Sequence, residues 1–136
     1  MVKVILGLKG SGKTKKLIDS INSAIKEETG SVVCIEKGNA LTFDVDYRVR
    51  LINASEYAIG SYEFLKGFIS GLHAGNFDIT RVFFDNLYKL SGTSDDDATA
   101  AFLAWCDAFG KTHGLKFTIS VSGDPAALPE SITKYQ

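Results

Sequence analysis

Apolar residues come in short bursts along this chain, and the bursts alternate between two periods. Residues 2–6 (VKVIL), 31–36 (SVVCIE), 81–85 (RVFFD) and 116–121 (KFTISV) are brief runs rich in β-branched and aromatic side chains. Runs of that length, apolar nearly throughout, predict strands of a parallel sheet covered on both faces. A further run, 48–53 (RVRLIN), alternates arginine with aliphatics and predicts a strand with one solvated face or at a sheet edge.

Between the runs, apolar positions recur at helical spacing. Leu17, Ile21, Ala24 and Ile25, with Ile18 beside them, predict a helix over 13–28 that Gly30 closes as a left-handed terminator. Leu65, Phe68, Ile69 and Leu72 predict a second helix over 62–74, with Ser61 as its cap. Phe102, Trp105, Cys106 and Phe109 predict a third over 98–109, where Asp95, Asp96 and Asp97 cap the helix and complement its dipole rather than hold a metal. Residues 40–47 follow neither period, 86–94 read as a loop or short helix start, and 126–136 hold too few apolar positions for another full strand. Strand and helix alternate, which means βαβ units with right-handed crossovers. The fold class expected is therefore α/β, a three-layer α/β/α sandwich on a mainly parallel sheet, in one domain over 1–136.

Composition narrows the function without deciding it. A chain of 136 residues, 45% hydrophobic and 23% charged, can bury a single core. Its net charge of -1 argues against a general nucleic-acid or membrane-surface binder. Cys34 and Cys106 lie in apolar runs with no C-x-x-C spacing, which predicts two buried free thiols. His73 and His113 stand singly near helix ends, as caps or solvated side chains rather than ligands. Residues 2–6 are too short for a signal peptide, and no run nears the ~20 apolar residues that span a bilayer, so a cytoplasmic location is expected.

The chemistry gathers at the first strand–helix junction. There the chain reads Gly7-Leu8-Lys9-Gly10-Ser11-Gly12-Lys13-Thr14, the pattern G-x-x-x-x-G-K-[ST] of a phosphate-binding P-loop, or Walker A motif. Glycines let successive N–H groups turn inward around an anion, and the following helix aims its positive end at the same point. The candidate cofactor-binding residues are Gly7, Lys9, Gly10, Ser11, Gly12, Lys13, Thr14 and Lys15. Lys13 would reach the β- and γ-phosphates of ATP (or GTP), and Thr14 would ligate Mg²⁺. In open α/β sheets ligands lie beyond the carboxyl ends of the strands. Residues 7–14, Glu36, Asp85 and 120–122 should therefore share one edge. The apolar run ending in Asp85 has the form of a Walker B strand, which makes Asp85 the second metal-ligating candidate. Many P-loop ATPases place a glutamate directly after that aspartate, but Asn86 stands here, which leaves Glu36 as the candidate for orienting water. Lys13, Glu36 and Asp85 are thus the catalytic candidates. Arg48 and Arg50 would supply charge in cis if their segment folds over the site, whereas Arg81 begins its strand and belongs to the opposite edge.

Taken together, GLKGSGKT, SVVCIE, VFFDNLYKL and the tail SGDPAALPESITKY resemble a group of short bacterial ATP-binding proteins, some labelled twitching-motility ATPase-like. The likeness covers most of the chain and implies a minimal P-loop NTPase domain of the additional-strand class. It also implies that the strand ending at 120–122 is inserted between the P-loop and Walker B strands, with Ser120 or Ser122 in the place of a γ-phosphate sensor. The function expected is Mg²⁺-dependent ATP binding with weak ATPase activity. The alternatives are a nucleotide-gated interaction module, which Asn86 favours, and a small-molecule kinase, which the lack of any arginine after Arg81 disfavours. A site without an evident cis arginine often completes itself from a neighbour, so a protein partner or homo-oligomer is expected besides the nucleotide.

Overall fold

A computed structural model describes residues 1–136. The chain runs β1 (Val2–Gly7), α1 (Lys13–Glu27), β2 (Ser31–Glu36), β3 (Arg50–Asn53), α2 (Tyr62–Gly75), β4 (Ile79–Phe84), α3 (Leu87–Ser91), α4 (Asp96–His113), β5 (Lys116–Ser122) and α5 (Glu130–Thr133). One five-stranded sheet has the order β1-β5-β4-β2-β3, and every neighbouring pair is parallel. β5 thus lies between β1 and β4, and β3 is an edge strand. Arg48 lies outside β3, with Asp46 accepting both its backbone N–H and its guanidinium at 2.9 Å.

Alternation along the strands divides the core in two. Val4 and Leu6, Val33 and Ile35, Val82 and Phe84, and Phe117 and Ile119 join α2 and α4 in a cluster of 23 buried residues. Val32, Cys34 and Phe83 face the other way, against Leu17, Ile21 and Ala24 of α1, in a cluster of only 8. Helices therefore cover both faces of the sheet, but unequally. The thinner face is completed by the connection between β2 and β3, which has no helix and turns Leu41 and Val49 inward, with Val45 packed beside them. Asn22 of α1 fastens this strap at its middle: its amide donates to the Asp44 carbonyl at 3.1 Å and accepts the Asp46 N–H at 2.9 Å.

Helix ends follow local chemistry. Ser61 accepts the Phe64 N–H at 3.1 Å, and Asp95 accepts the Ala98 N–H at 2.9 Å, so the acidic triplet begins with a cap. Gly30 is not the left-handed terminator that the pattern suggested. The cap of α1 is Glu28 in extended geometry, and Gly30 is needed because a Cβ there would run into the Asp78 carbonyl oxygen and Thr80. His73 and His113 occupy the last turns of α2 and α4, where their rings meet at 4.5 Å. The tail forms α5, which buries Ile132, and the Tyr135 carbonyl accepts the Val4 N–H at 2.9 Å. Cys34 and Cys106 are free and fully buried, and burial pushes both thiols far above their usual range. No helix is long and apolar enough to cross a membrane.

Phe84 is fully buried, with the rings of Phe102 and Phe117 at 6.0 and 6.1 Å. Phe84→Ala is expected to cost about 3–5 kcal/mol in urea unfolding, against less than about 0.5 kcal/mol for the same change at Phe43, which is 98% exposed.

Candidate functional site

Because all five strands are parallel, their carboxyl ends meet at one edge, and the glycine-rich segment is the first chain to cross it. Gly7 ends β1 in a buried position, where a Cβ would strike the Ser11 side chain and lie 3.1 Å from Lys13 Cγ. Leu8 to Ser11 form a turn closed by the Ser11 N–H on the Leu8 carbonyl at 3.0 Å. Gly10, third in that turn, has φ +85°, the conformation that demands glycine there. Gly12 has φ +87° and enters α1 with no side-chain cap and no acidic residue in the first turn. The free N–H groups and positive end of α1 are therefore left facing outward, unlike those of α2 and α4, which are capped.

What they face is a cleft of about 720 Å³ lined by Lys9, Gly10, Gly12, Lys13, Thr14, Asn86, Lys89 and Ser122. Three cations line it and no carboxylate does, nor any hydrophobic side chain. Six of the residues singled out in the sequence thus come together: Lys9, Gly10, Gly12, Lys13, Thr14 and Ser122. Gly7 and Ser11 shape the loop from behind. Lys15 turns away along α1, where Asp19 holds its ammonium at 3.5 Å. Lys89 escaped the sequence reading, because α3 has only five residues; the spacing of Leu87 and Leu90, both fully buried, was the available signal.

Neither candidate carboxylate is among the residues that line the cleft. Asp85 follows β4 and accepts the Ser120 hydroxyl at 3.3 Å. Burial pushes its carboxyl above the usual range, opposed by the Ser120 bond and by the charges of Lys89 and Lys13. Ser120 is itself buried, and its Oγ also accepts the Asn86 N–H at 2.7 Å. It is a tie between strands, which leaves Ser122 as the serine on the cleft. Glu36 is 2% exposed, and both its oxygens accept the Leu41 N–H, at 3.4 and 3.3 Å. Burial raises its pKa too, countered by the Leu41 N–H and reinforced by the Asp85 charge. The arginines are elsewhere. Arg48 is held by Asp46, Arg50 opens β3 at the far edge, and Arg81 lies 3.6 Å from Glu28 while donating to Thr118 at 3.0 Å.

The donor set suits a multiply charged anion: the uncapped N–H groups at the start of α1, three lysines, and hydroxyls at Thr14 and Ser122. A hard divalent cation would draw its protein oxygens from Thr14 and Asp85, and it would relieve the cost of keeping Asp85 ionised. Among known proteins, the chain matches no family model and no curated sequence.

The Asp85 shift has a measurable sign. A carboxyl whose pKa is raised on folding favours the folded state when protonated, and that contribution is lost as pH climbs past the ordinary carboxylate range. Asp85→Asn keeps an acceptor for Ser120 and removes the buried charge. Its Tm should exceed that of the parent near about pH 7, and the difference should vanish towards about pH 3, as read by thermal melts across that range.

Proposed function

We propose that this chain is a P-loop nucleotide-binding protein that takes ATP (or GTP) with Mg²⁺ and hydrolyses it weakly. The reading is carried by one observation: a glycine-rich turn, the uncapped start of α1 and three lysines converge on a single cleft with no hydrophobic residue and no carboxylate in its lining. Lys13 and the backbone N–H groups of Gly12, Lys13 and Thr14 would hold the phosphates, Lys9 would close over them, and Thr14 with Asp85 would supply the metal's protein oxygens. Mg²⁺, when bound there, neutralises charge on the phosphate oxygens. The insertion of β5 between β1 and β4 also supports the additional-strand form of the fold.

Weak turnover follows from what surrounds the phosphates. Asn86 stands directly after Asp85 with φ 60°, a left-handed conformation that asparagine tolerates. Glu36, the remaining carboxylate at this edge, is occupied by the Leu41 N–H and does not line the cleft. No side chain on the wall is placed to take a proton from water. These features favour, as a second reading, a module that binds nucleotide and signals its presence without efficient hydrolysis.

Calorimetry with ATP and Mg²⁺ should show binding, with Lys13→Ala weakening it about tenfold or more. Phosphate release should be slow, on the order of 10⁻³ s⁻¹, and abolished by the same change or by chelation of Mg²⁺. Tight binding without release would select the module. Failure of both ATP and GTP to bind at about millimolar concentration, weaker than any useful nucleotide site, would end the reading.

A further inference from the structure

Lys89 is the one cation on the cleft that does not belong to the glycine-rich segment or the start of α1. Its carrier, α3, is short but fixed at every point. Asn86 precedes it at φ 60° and Gly92 follows it at φ +74°, so the chain turns sharply on both sides. The Asn86 N–H is held by Ser120, and the Lys89 and Leu90 N–H groups both close on the Asn86 carbonyl, at 3.1 and 3.2 Å. Leu87 and Leu90 are fully buried and lock one face of this turn into the core. Lys89 is exposed and lines the cleft together with Lys9 and Lys13, with no carboxylate within salt-bridge distance. A long, flexible ammonium has been set on an anchored turn that shares the cleft with the glycine-rich loop.

None of the eight residues on the wall is aromatic or hydrophobic, so it offers no ring or aliphatic side chain of the kind base recognition ordinarily uses. Its ammonium groups and hydroxyls are donors that suit phosphate oxygens.

Resting on the nucleotide reading above, we infer that Lys89 reads the terminal phosphate, so that the cleft selects by number of phosphates and is indifferent to the base. The first phosphates fill the loop beside Lys13. A third phosphate extends across the cleft to Lys89, where a charge-assisted bond forms that a diphosphate cannot make. Arg48, Arg50 and Arg81 lie away from the cleft, so Lys89 is the in-cis substitute for an arginine on the far side of the phosphate chain. Lys89 is thus a specificity residue, and the substrate class is a triphosphate, with the nucleoside outside.

The test is a set of Mg²⁺-containing titrations of ATP, ADP and inorganic tripolyphosphate into the parent chain, Lys89→Ala and Lys89→Arg. Because Lys89 is exposed, both variants should fold, which circular dichroism and melting check. The parent should bind ATP and tripolyphosphate within about fivefold of each other, and both about tenfold or more tighter than ADP. Lys89→Ala should lose that preference by weakening both triphosphates about tenfold while leaving ADP within about twofold; Lys89→Arg should restore it. Equal weakening of ATP and ADP, no change in either, or a strong advantage of ATP over tripolyphosphate would overturn the inference while leaving nucleotide binding intact. If the parent binds none of the three, the nucleotide reading itself falls, and this inference with it.

Discussion

A single buried hydroxyl holds the working edge of this molecule together. Ser120 Oγ accepts the Asn86 N–H at 2.7 Å and donates to Asp85 at 3.3 Å, joining the end of β5 to the chain leaving β4. Backbone pairing reaches one residue past β4, the Asp85 N–H on the Ile35 carbonyl at 3.0 Å, and the Ser120 tie takes over at Asn86. With it, Asn86 is held in its left-handed turn, α3 starts at once, and Lys89 is delivered to the cleft. The tie exists because β5 runs between β1 and β4, in register from Val2 opposite Phe117 to Gly7 opposite Ser122.

The two faces of the sheet divide the labour of stability and access. The larger cluster, with the rings of Phe84, Phe102 and Phe117 at its centre, anchors α2, α3 and α4. The smaller one holds α1, whose amino end forms part of the cleft. Its strap, 37–49, covers apolar surface yet depends on one asparagine for its central hydrogen bonds. It also closes turns of its own, with the Asp44 and Val45 N–H groups on the Leu41 carbonyl, and its Leu41 N–H is what holds Glu36.

Much of this was readable from the residues, and for identifiable reasons. Apolar runs such as SVVCIE are strands because a doubly covered sheet accepts no polar alternation, and the glycine-rich turn announced itself by spacing. The helix stripes of α1, α2 and α4 were equally plain. The strap was opaque because its partner, Asn22, lies 24 residues before Asp46 and no local period records that pairing. α3 was left between loop and short helix, and α5 was missed, because five and four residues are too few to show a helical repeat. Gly30 was misread because the reason for it lies at Asp78 and Thr80, just before and within the remote strand β4. Asp85 and Glu36 were placed at the carboxyl edge of the sheet, but that Ser120 and Leu41 engage them, and that neither lines the cleft, is encoded by no motif.

The bond from the Val4 N–H to the Tyr135 carbonyl has a consequence beyond the folding of the tail. β1 is the outer strand on its side of the sheet, and an outer strand offers unpaired backbone groups to any passing extended chain. By laying its last turn against that flank, the protein occupies the place an intruding strand would take. The opposite flank, β3, is guarded differently, being only four residues long and opening with Arg50. Self-association into ordered aggregates is thus discouraged at both margins, and removal of the final residues would leave the strand that feeds the glycine-rich turn open to templated misassembly.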